Sequence, residues 1–412
     1  MNDDARLSRR GFARAAGVTS WAVPAIVSAR ALGREAPAAA SERITLGFIG
    51  MGTMNRYHLG ALLKRPEVQV LAVCDCDTTR RDSARKTVDD HYNKQATKGR
   101  DAAHCRAYND FRDLLKRHDI DAVVIATPDH WHAIQIIEAC KAGKDIYCEK
   151  PLTLTIHEAK VVIDAVRKYA RVLQTGSQLR TEFSGKFRTA CEYVRSGRLG
   201  KILTVHCGLG GPSHPCNLPG EPVEPGLDWD LWLGPAPRRP YNSILSPRGV
   251  HKHFPNWRAY KEYSGGGMTD FGAHHFDIAQ WGLGRDDSGP TTIRPPEDPK
   301  AEWGVRYRYD DDVELIHGGP GGVTFIGTHG MIQVDRDKLI SLPAEILKRP
   351  LERKDVHLPQ ARSHHDDWLE CVRMRKDPIA NVEVGARSVT VCHLGNLAYR
   401  NPAESPHPSG VG

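Results

Sequence analysis

No run of 18 or more apolar residues occurs in this 412-residue chain, so no segment reads as a membrane-spanning helix. None of its ten cysteines forms a C-x-x-C pair or falls at metal-ligand spacing. A structural zinc site and a thioredoxin-like redox pair are therefore not expected, and most of the ten read as small buried hydrophobes. Internal repeats and low-complexity segments are missing, which removes solenoid and fibrous architectures. A strong charge of one sign is missing too. The formal charge is +7, and residues 1–40 carry six arginines against three acids, which leaves about +4 for everything else. So mild and scattered a surplus does not fit a nucleic-acid partner.

The chain is too long for a single core, and two domains are expected. Ser8-Arg9-Arg10-Gly11-Phe12 is a twin-arginine pattern, followed by an apolar stretch at 17–27 and small residues at 28–40. Ala29-Arg30-Ala31 and Ala38-Ala39-Ala40 are candidate cleavage sites. Residues 1–40 are expected to be a signal peptide and linker, and the mature protein to be periplasmic or otherwise exported by the twin-arginine route. That route carries folded proteins, so export does not require disulfides.

From residue 44 the sequence alternates short apolar runs with amphipathic ones. ITLGFIG (44–50), VQVLAVCD (68–75), DAVVIATP (121–128), KDIYCEKP (144–151) and 171–176 read as strands. Helices are expected at 53–65, 78–91, 109–118 with an Asn109 cap, 131–142 and 155–169. This alternation predicts an α/β fold, with a doubly wound parallel Rossmann sheet over 41–176. The second domain is expected over 177–400, with a tail at 401–412. It contains a long Pro/Gly-rich stretch at 210–260, a helix at 268–281, four β-like runs within 303–340, and helices at 363–376 and 383–399.

Gly50-Met51-Gly52-Thr53-Met54-Asn55 supplies the first two glycines of a dinucleotide turn. The first allows the tight turn, and the second lets backbone approach a pyrophosphate at a helix N-terminus. The third glycine is replaced by Asn55. Asp75 ends the second strand about 23 residues after Gly52, where a carboxylate can accept hydrogen bonds from the adenosine ribose. That acid favours NAD by repelling a 2′-phosphate, although Arg80 and Arg81 could offset it and admit NADP. Two further stretches carry chemistry. Glu149-Lys150-Pro151 closes the fifth expected strand. GGGMTDFGAHHFD (265–277) puts Asp270 and His274 four residues apart, on one face of a continuous helix. Singly, such a lysine is commonly a solvated strand end, and such a histidine a satisfied helix residue.

Together, GFIGMG, AVCD, ATPDHWH (126–132), EKP (149–151), LDWDLWLGPAP (227–237), GGGMTDFGAHHFDIAQW (265–281) and GVTFIGTHGMIQV (322–334) resemble the Gfo/Idh/MocA oxidoreductase family. The family includes glucose-fructose oxidoreductase and inositol dehydrogenase. The resemblance covers about residues 44–400. It implies a C-terminal α/β domain with a large open mixed sheet that forms the oligomer interface, hence a homo-oligomer, dimer or tetramer. It makes Lys150 the lysine at the reacting hydroxyl, His274 the acid/base and Asp270 its partner carboxylate. Thr127, Pro128 and His132 would line the cofactor, with Glu149 near the nicotinamide ribose.

A histidine suits proton transfer near neutral pH, and a lysine can stabilise developing alkoxide charge or itself serve as the base. His253, Trp257 and Arg258 in GVHKHFPNWRAY are candidates for the sugar side, with His251, and Asp277 is a candidate substrate contact. His275 is expected to pack against the sheet. His130-x-His132 and His364-His365-Asp366, the latter read as solvated, lack a recognised metal spacing, so no metal is expected. The expected activity is hydride transfer between a tightly bound nicotinamide and a CH–OH group of a sugar, polyol or sugar derivative. Alternatives are a redox-neutral NAD-dependent glycosidase or lyase, and a non-catalytic sugar sensor on the same fold. Free NAD(H) is scarce outside the cytoplasm, so an exported enzyme would have to retain its cofactor, for which residues 28–43 are a candidate arm.

Overall fold

The computed structural model describes residues 43–95 and 104–401. The twin-arginine segment, both cleavage sites, the candidate arm up to residue 42 and the end of the tail lie outside them.

The apolar runs of the first half become a six-stranded sheet in the order β3-β2-β1-β4-β5-β6. Its strands are β1 (Ile44–Ile49), β2 (Val68–Cys74), β3 (Arg106–Tyr108), β4 (Ala122–Ile125), β5 (Asp145–Cys148) and β6 (Leu173–Thr175). Each described pairing in this sheet is parallel. Strands β4 and β5 are buried at every position, as expected where helices cover both faces. Helices α1 (Thr53–Leu62), α2 (Thr78–Gln95), α3 (Phe111–Leu115), α4 (Asp129–Lys141) and α5 (Ile156–Lys168) connect them. The cap of α3 is Asp110, which accepts from the Arg112 N–H, and not Asn109.

The second sheet joins β7 (Ile202–Gly208), β8 (Thr292–Arg294), β9 (Arg306–Arg308), β10 (Glu314–Gly327), β11 (Gly330–Val334) and β12 (Leu339–Leu342), with α6 (Lys186–Arg195) before β7. Every described pairing in it is antiparallel, so the expected mixed sheet is antiparallel here. Two of the expected β-like runs fuse into the 14-residue β10. The fusion works because Gly321 and Gly322 both oppose Gly208, a bulge that lets one strand bend past β7 without losing it.

The chain then returns to the first sheet. Helix α7 (His364–Met374) contributes Trp368, Leu369, Cys371 and Val372 to the core around β1 and β2. Helix α8 (Val382–Arg400) gives Val382, Ala386 and Val389 to the core on the other face of that sheet. Farther along, its Val391 and Cys392 join the core of the antiparallel sheet. Eight of the ten cysteines are buried and all ten are free.

Asp277, read from sequence as a possible substrate contact, is wholly buried and structural. The Arg180 guanidinium donates to it from Nε (2.9 Å) and Nη2 (2.8 Å), and the Ser388 hydroxyl donates at 2.7 Å. Arg180 also pairs with Asp286 and lies 4.8 Å over the Trp281 ring. Breaking one partner of a buried pair leaves an uncompensated charge. Asp277→Asn should therefore cost about 3–5 kcal/mol, read as a lower urea midpoint. An unchanged midpoint would mean that the pair contributes nothing.

Candidate active site

Strand β1 runs into a turn whose Gly50 has φ +80°, a left-handed conformation that side chains rarely adopt. A Cβ there would also lie 2.7 Å from Thr127 Cγ2. Asn55, in the place of the third glycine, ties this turn together: its Nδ2 donates to the carbonyls of Ile49 (3.0 Å) and Gly50 (2.8 Å). Asp75 braces it from the other side. Its Oδ2 accepts the Met51 N–H at 2.6 Å and its Oδ1 the Asp77 N–H at 2.8 Å. Burial pushes the Asp75 carboxyl up, against the pull of nearby Arg80.

The arrangement fits a dinucleotide. A Cβ on Gly52 would meet nothing within 4 Å, so the space before that backbone is open. The N-terminus of α1 has no side-chain cap, which leaves its N–H groups for an outside acceptor such as a diphosphate. Of the residues expected to bind cofactor, Gly50, Gly52, Thr53, Met54, Asp75, Thr127 and Pro128 line one cleft. Trp131 and Gln135 line it as well, which the sequence reading missed.

Three expected cofactor residues lie behind that wall. Met51 is fully buried. The His132 ring faces the Pro151 carbonyl through Nδ1 (2.8 Å) and the Thr127 carbonyl through Nε2 (3.0 Å), so it braces two loops. Glu149 turns into the interior, where His58 Nε2 (2.8 Å) and Gln178 Nε2 (2.7 Å) meet its Oε1. His58 Nδ1 in turn faces His365 Nε2 at 2.9 Å. Burial alone would raise the Glu149 carboxyl, yet the His58 hydrogen bond holds it below its usual range. His364 and His365 are therefore interior residues, not the solvated pair expected.

Lys150, one residue on from Glu149, reaches across to the second domain. Its Nζ donates to Asp270 Oδ1 and to the Asp270 carbonyl, both at 2.6 Å. This double contact lies at a departure from the expected continuous helix. The Asp270 carbonyl accepts from the lysine, and the His274 N–H bonds to Phe271 O at 3.0 Å. The segment is accordingly two helices, Gly267–Asp270 and Gly272–Leu283, divided at Phe271. The first begins at Gly266, whose φ is +74° and whose Cβ would collide with Ser213 N at 2.5 Å.

His274 is 8% exposed, and its Nδ1 is buried with no hydrogen-bond partner among the described residues. Burial, then the Lys150 charge, holds the imidazole well below its usual pKa, so it stays neutral and can accept a proton. Burial disfavours charge on Asp270, but Lys150 and Arg258 hold its carboxyl below the usual range. Next to it, His275 packs inward as expected, with Nδ1 at 2.9 Å from Gly208 O.

Trp257 and Arg258 line the cleft, and Arg258 Nε lies 3.6 Å from Asp270 Oδ1. Arg258 thus links the dinucleotide cleft to the Lys150–Asp270 pair. His253 does not line the cleft; its ring is exposed and its carbonyl accepts from Thr53 Oγ1 at 2.9 Å. His251 takes the wall position instead. The sequence reading also missed Asp129, which is buried at the start of α4 and accepts from Ser264 Oγ at 2.6 Å. Burial pushes its carboxyl up to about 7 in the neighbourhood of Arg258, Asp270 and Lys150. A buried carboxylate one residue past Thr127-Pro128 was the available signal. No cluster of three or more potential metal ligands occurs among the described residues.

Residues 44–177 match the family model described as oxidoreductase family, NAD-binding Rossmann fold, and residues 213–404 the one described as oxidoreductase family, C-terminal alpha/beta domain. The chain belongs to the Gfo/Idh/MocA oxidoreductase family. Its first domain is the family's NAD-binding Rossmann domain. Rhizopine catabolism protein MocA of Rhizobium meliloti is 25% identical over 289 residues, 69% of this chain and 71% of that protein. A glycosyl hydrolase family 109 protein of Shewanella pealeana is 27% identical over 216 residues, 48% of this chain and 45% of that one. The chain spans less than half the length of some curated relatives that it matches. Among solved structures, the WlbA dehydrogenase of Bordetella pertussis, in complex with NADH and UDP-GlcNAcA, superposes with a TM-score of 0.60. It is 18% identical, over 89% of this chain and 100% of that one, so the likeness is one of fold.

For a Gfo/Idh/MocA site of this geometry, Lys150→Met should lower kcat about 10²–10⁴-fold. The variant should still carry NAD, measured by mass spectrometry of the native protein; loss of NAD as well would make Lys150 a cofactor ligand only. Asp129 gives a pH test. Its folded pKa lies above the unfolded value, so its contribution is fully present below about pH 4, the ordinary aspartate range. The contribution is lost as pH rises toward 7, the folded pKa. Asp129→Asn should therefore gain stability relative to wild type across that window, measured by urea unfolding at several pH values. A constant difference between the two proteins would refute the shift.

Proposed function

We propose that the protein is an NAD-dependent oxidoreductase acting on a CH–OH group of a sugar, polyol or sugar derivative, with its cofactor retained between turnovers. The observation that carries this reading is the Lys150–Asp270 pair, joined through Arg258 to the dinucleotide cleft and followed four residues later in the chain by the buried His274. A nicotinamide held in that cleft would supply the hydride chemistry. The chain's own groups handle the proton. The neutral His274 imidazole takes it from the substrate hydroxyl, while the Lys150 ammonium donates to the same oxygen and stabilises the growing negative charge. Asp270 fixes the position of that ammonium. Asp75 favours NAD over NADP. Arg80 and Arg81, which could have offset it, are engaged: Arg80 with Ser246 and the Pro247 carbonyl, Arg81 with Asn109 Oδ1 at 2.9 Å.

Retention is supported by residues 245–258 of the second domain, which strap the cleft. Thr53 and Arg56 donate to the carbonyls of His253 and His251, and Arg80 donates to those of Pro247 and Gly249. Leu245, Ser246, His251, Phe254 and Pro255 face the cleft from this strap. These bonds would slow the departure of a dinucleotide held beneath the strap. Export by the twin-arginine pattern at Arg9-Arg10 belongs to the same proposal, because a retained cofactor suits a compartment poor in NAD(H). So does a homo-oligomer formed through the second sheet, whose Leu203, Ile340 and Leu342 are exposed.

The glycosyl hydrolase family 109 relative favours a second reading, a redox-neutral glycosidase in which the cofactor is reduced and reoxidised within one cycle. A single experiment addresses both. Protein purified without added cofactor is analysed for bound NAD, then offered sugars and aryl glycosides while nicotinamide absorbance and products are followed. Bound NAD that is reduced by a sugar or polyol supports the oxidoreductase. Aglycone release with no net reduction supports the glycosidase. A protein that binds NAD and changes no substrate refutes both.

A further inference from the structure

Phe183, Phe271 and Arg336 form a group that the chemistry above leaves unused. The Arg336 guanidinium carbon lies 5.7 Å from the Phe183 ring centre and 5.6 Å from that of Phe271, so the cation is held between two aromatic rings. Both rings are open to solvent, at 38% and 47% exposure. Phe183 and Ser184 both have φ +57°, a conformation unfavourable for such side chains and concentrated at ligand clamps and active sites.

The Arg336 side chain makes no hydrogen bond among the described residues. Asp335 Oδ1 accepts its backbone N–H at 2.8 Å and pairs with Nη1 at 3.6 Å, while Nε and Nη2 of the fork have no carboxylate partner among the described residues. Phe271 follows Asp270 directly and lies three residues before His274, which puts this group next to the site. The Arg336 charge is also felt by the imidazole, after burial and Lys150. Of the cations around the site, Lys150 and Arg258 share the Asp270 carboxylate, whereas Arg336 has only the 3.6 Å contact of Nη1 with Asp335.

The geometry points to a subsite for an anionic group on the substrate, so that the sugar derivative carries a carboxylate or a phosphate. The planar Arg336 fork matches either group in a paired contact, and the exposed ring faces suit the apolar side of a sugar ring. The inference rests on the oxidoreductase reading for what happens to the sugar, but the binding itself does not depend on turnover.

Calorimetric titration of the purified protein with glucuronate, a hexose phosphate and glucose tests it. Both anions, or one of them, should bind more tightly than glucose, and the two arms distinguish carboxylate from phosphate. Arg336→Gln should weaken the preferred anion about 10–100-fold and leave glucose unchanged. Arg336→Lys, which keeps the charge and loses the fork, should recover part of the affinity. The residue is partly exposed in the β11–β12 turn, and an unchanged melting temperature and NAD content would confirm that the variants fold. No preference for either anion, or equal anion affinity in wild type and Arg336→Gln, overturns the subsite. Anion binding through Arg336 with no oxidation of any sugar would instead sink the oxidoreductase reading and leave the subsite standing.

Discussion

The contact on which the rest of the structure depends is the one between the Lys150 ammonium and Asp270. It joins the end of a Rossmann strand to the second domain, and it uses both the carboxylate and the main-chain carbonyl of one residue. The Asp270 carbonyl accepts from the lysine, and the His274 N–H bonds to Phe271 O in place of the ordinary helix partner. This interaction positions the ammonium at the point where the helix is interrupted, four residues before His274 in the chain. Its short N–O distance and partial burial give it weight that an exposed ion pair lacks.

Around that contact, burial decides which groups carry charge. Asp270 stays ionised because Lys150 and Arg258 face it. Asp129, with Ser264 as its hydrogen-bond donor, is pushed up to about 7 by burial. His274, His275 and His364 are all held neutral by desolvation. A site with two cations paired to one carboxylate and with neutral imidazoles can accept a proton without first giving one up. Glu149 serves the same end indirectly: anchored to His58 and Gln178, it fixes the backbone from which Lys150 extends.

Much of this was legible in the sequence. Buried strands announce themselves by continuous apolar runs, and β1, β2, β4 and β5 fall within the runs that predicted them. The turn at Gly50 and the approach at Gly52 follow from what only glycine permits, and Asp75 from its place at a strand end. What escaped depends on contacts between distant residues. Arg180 meets Asp277 across 97 positions, Glu149 meets His58 across 91, and the strap reaches Thr53 across 200. No local period encodes such meetings, so Asp277 looked accessible on its helix and Glu149 looked like a cofactor residue. The contact at the Phe271 helix break was hidden for the same reason, since its donor lies 120 residues away.

The central claim is that Lys150 and Asp270 act as one unit beside bound NAD. A double-mutant cycle on kcat/KM, with Lys150→Met, Asp270→Asn and the pair, tests it most directly in protein whose NAD content is verified. The account predicts strong non-additivity, the double variant being about as impaired as Lys150→Met alone. Losses that multiply independently would contradict it.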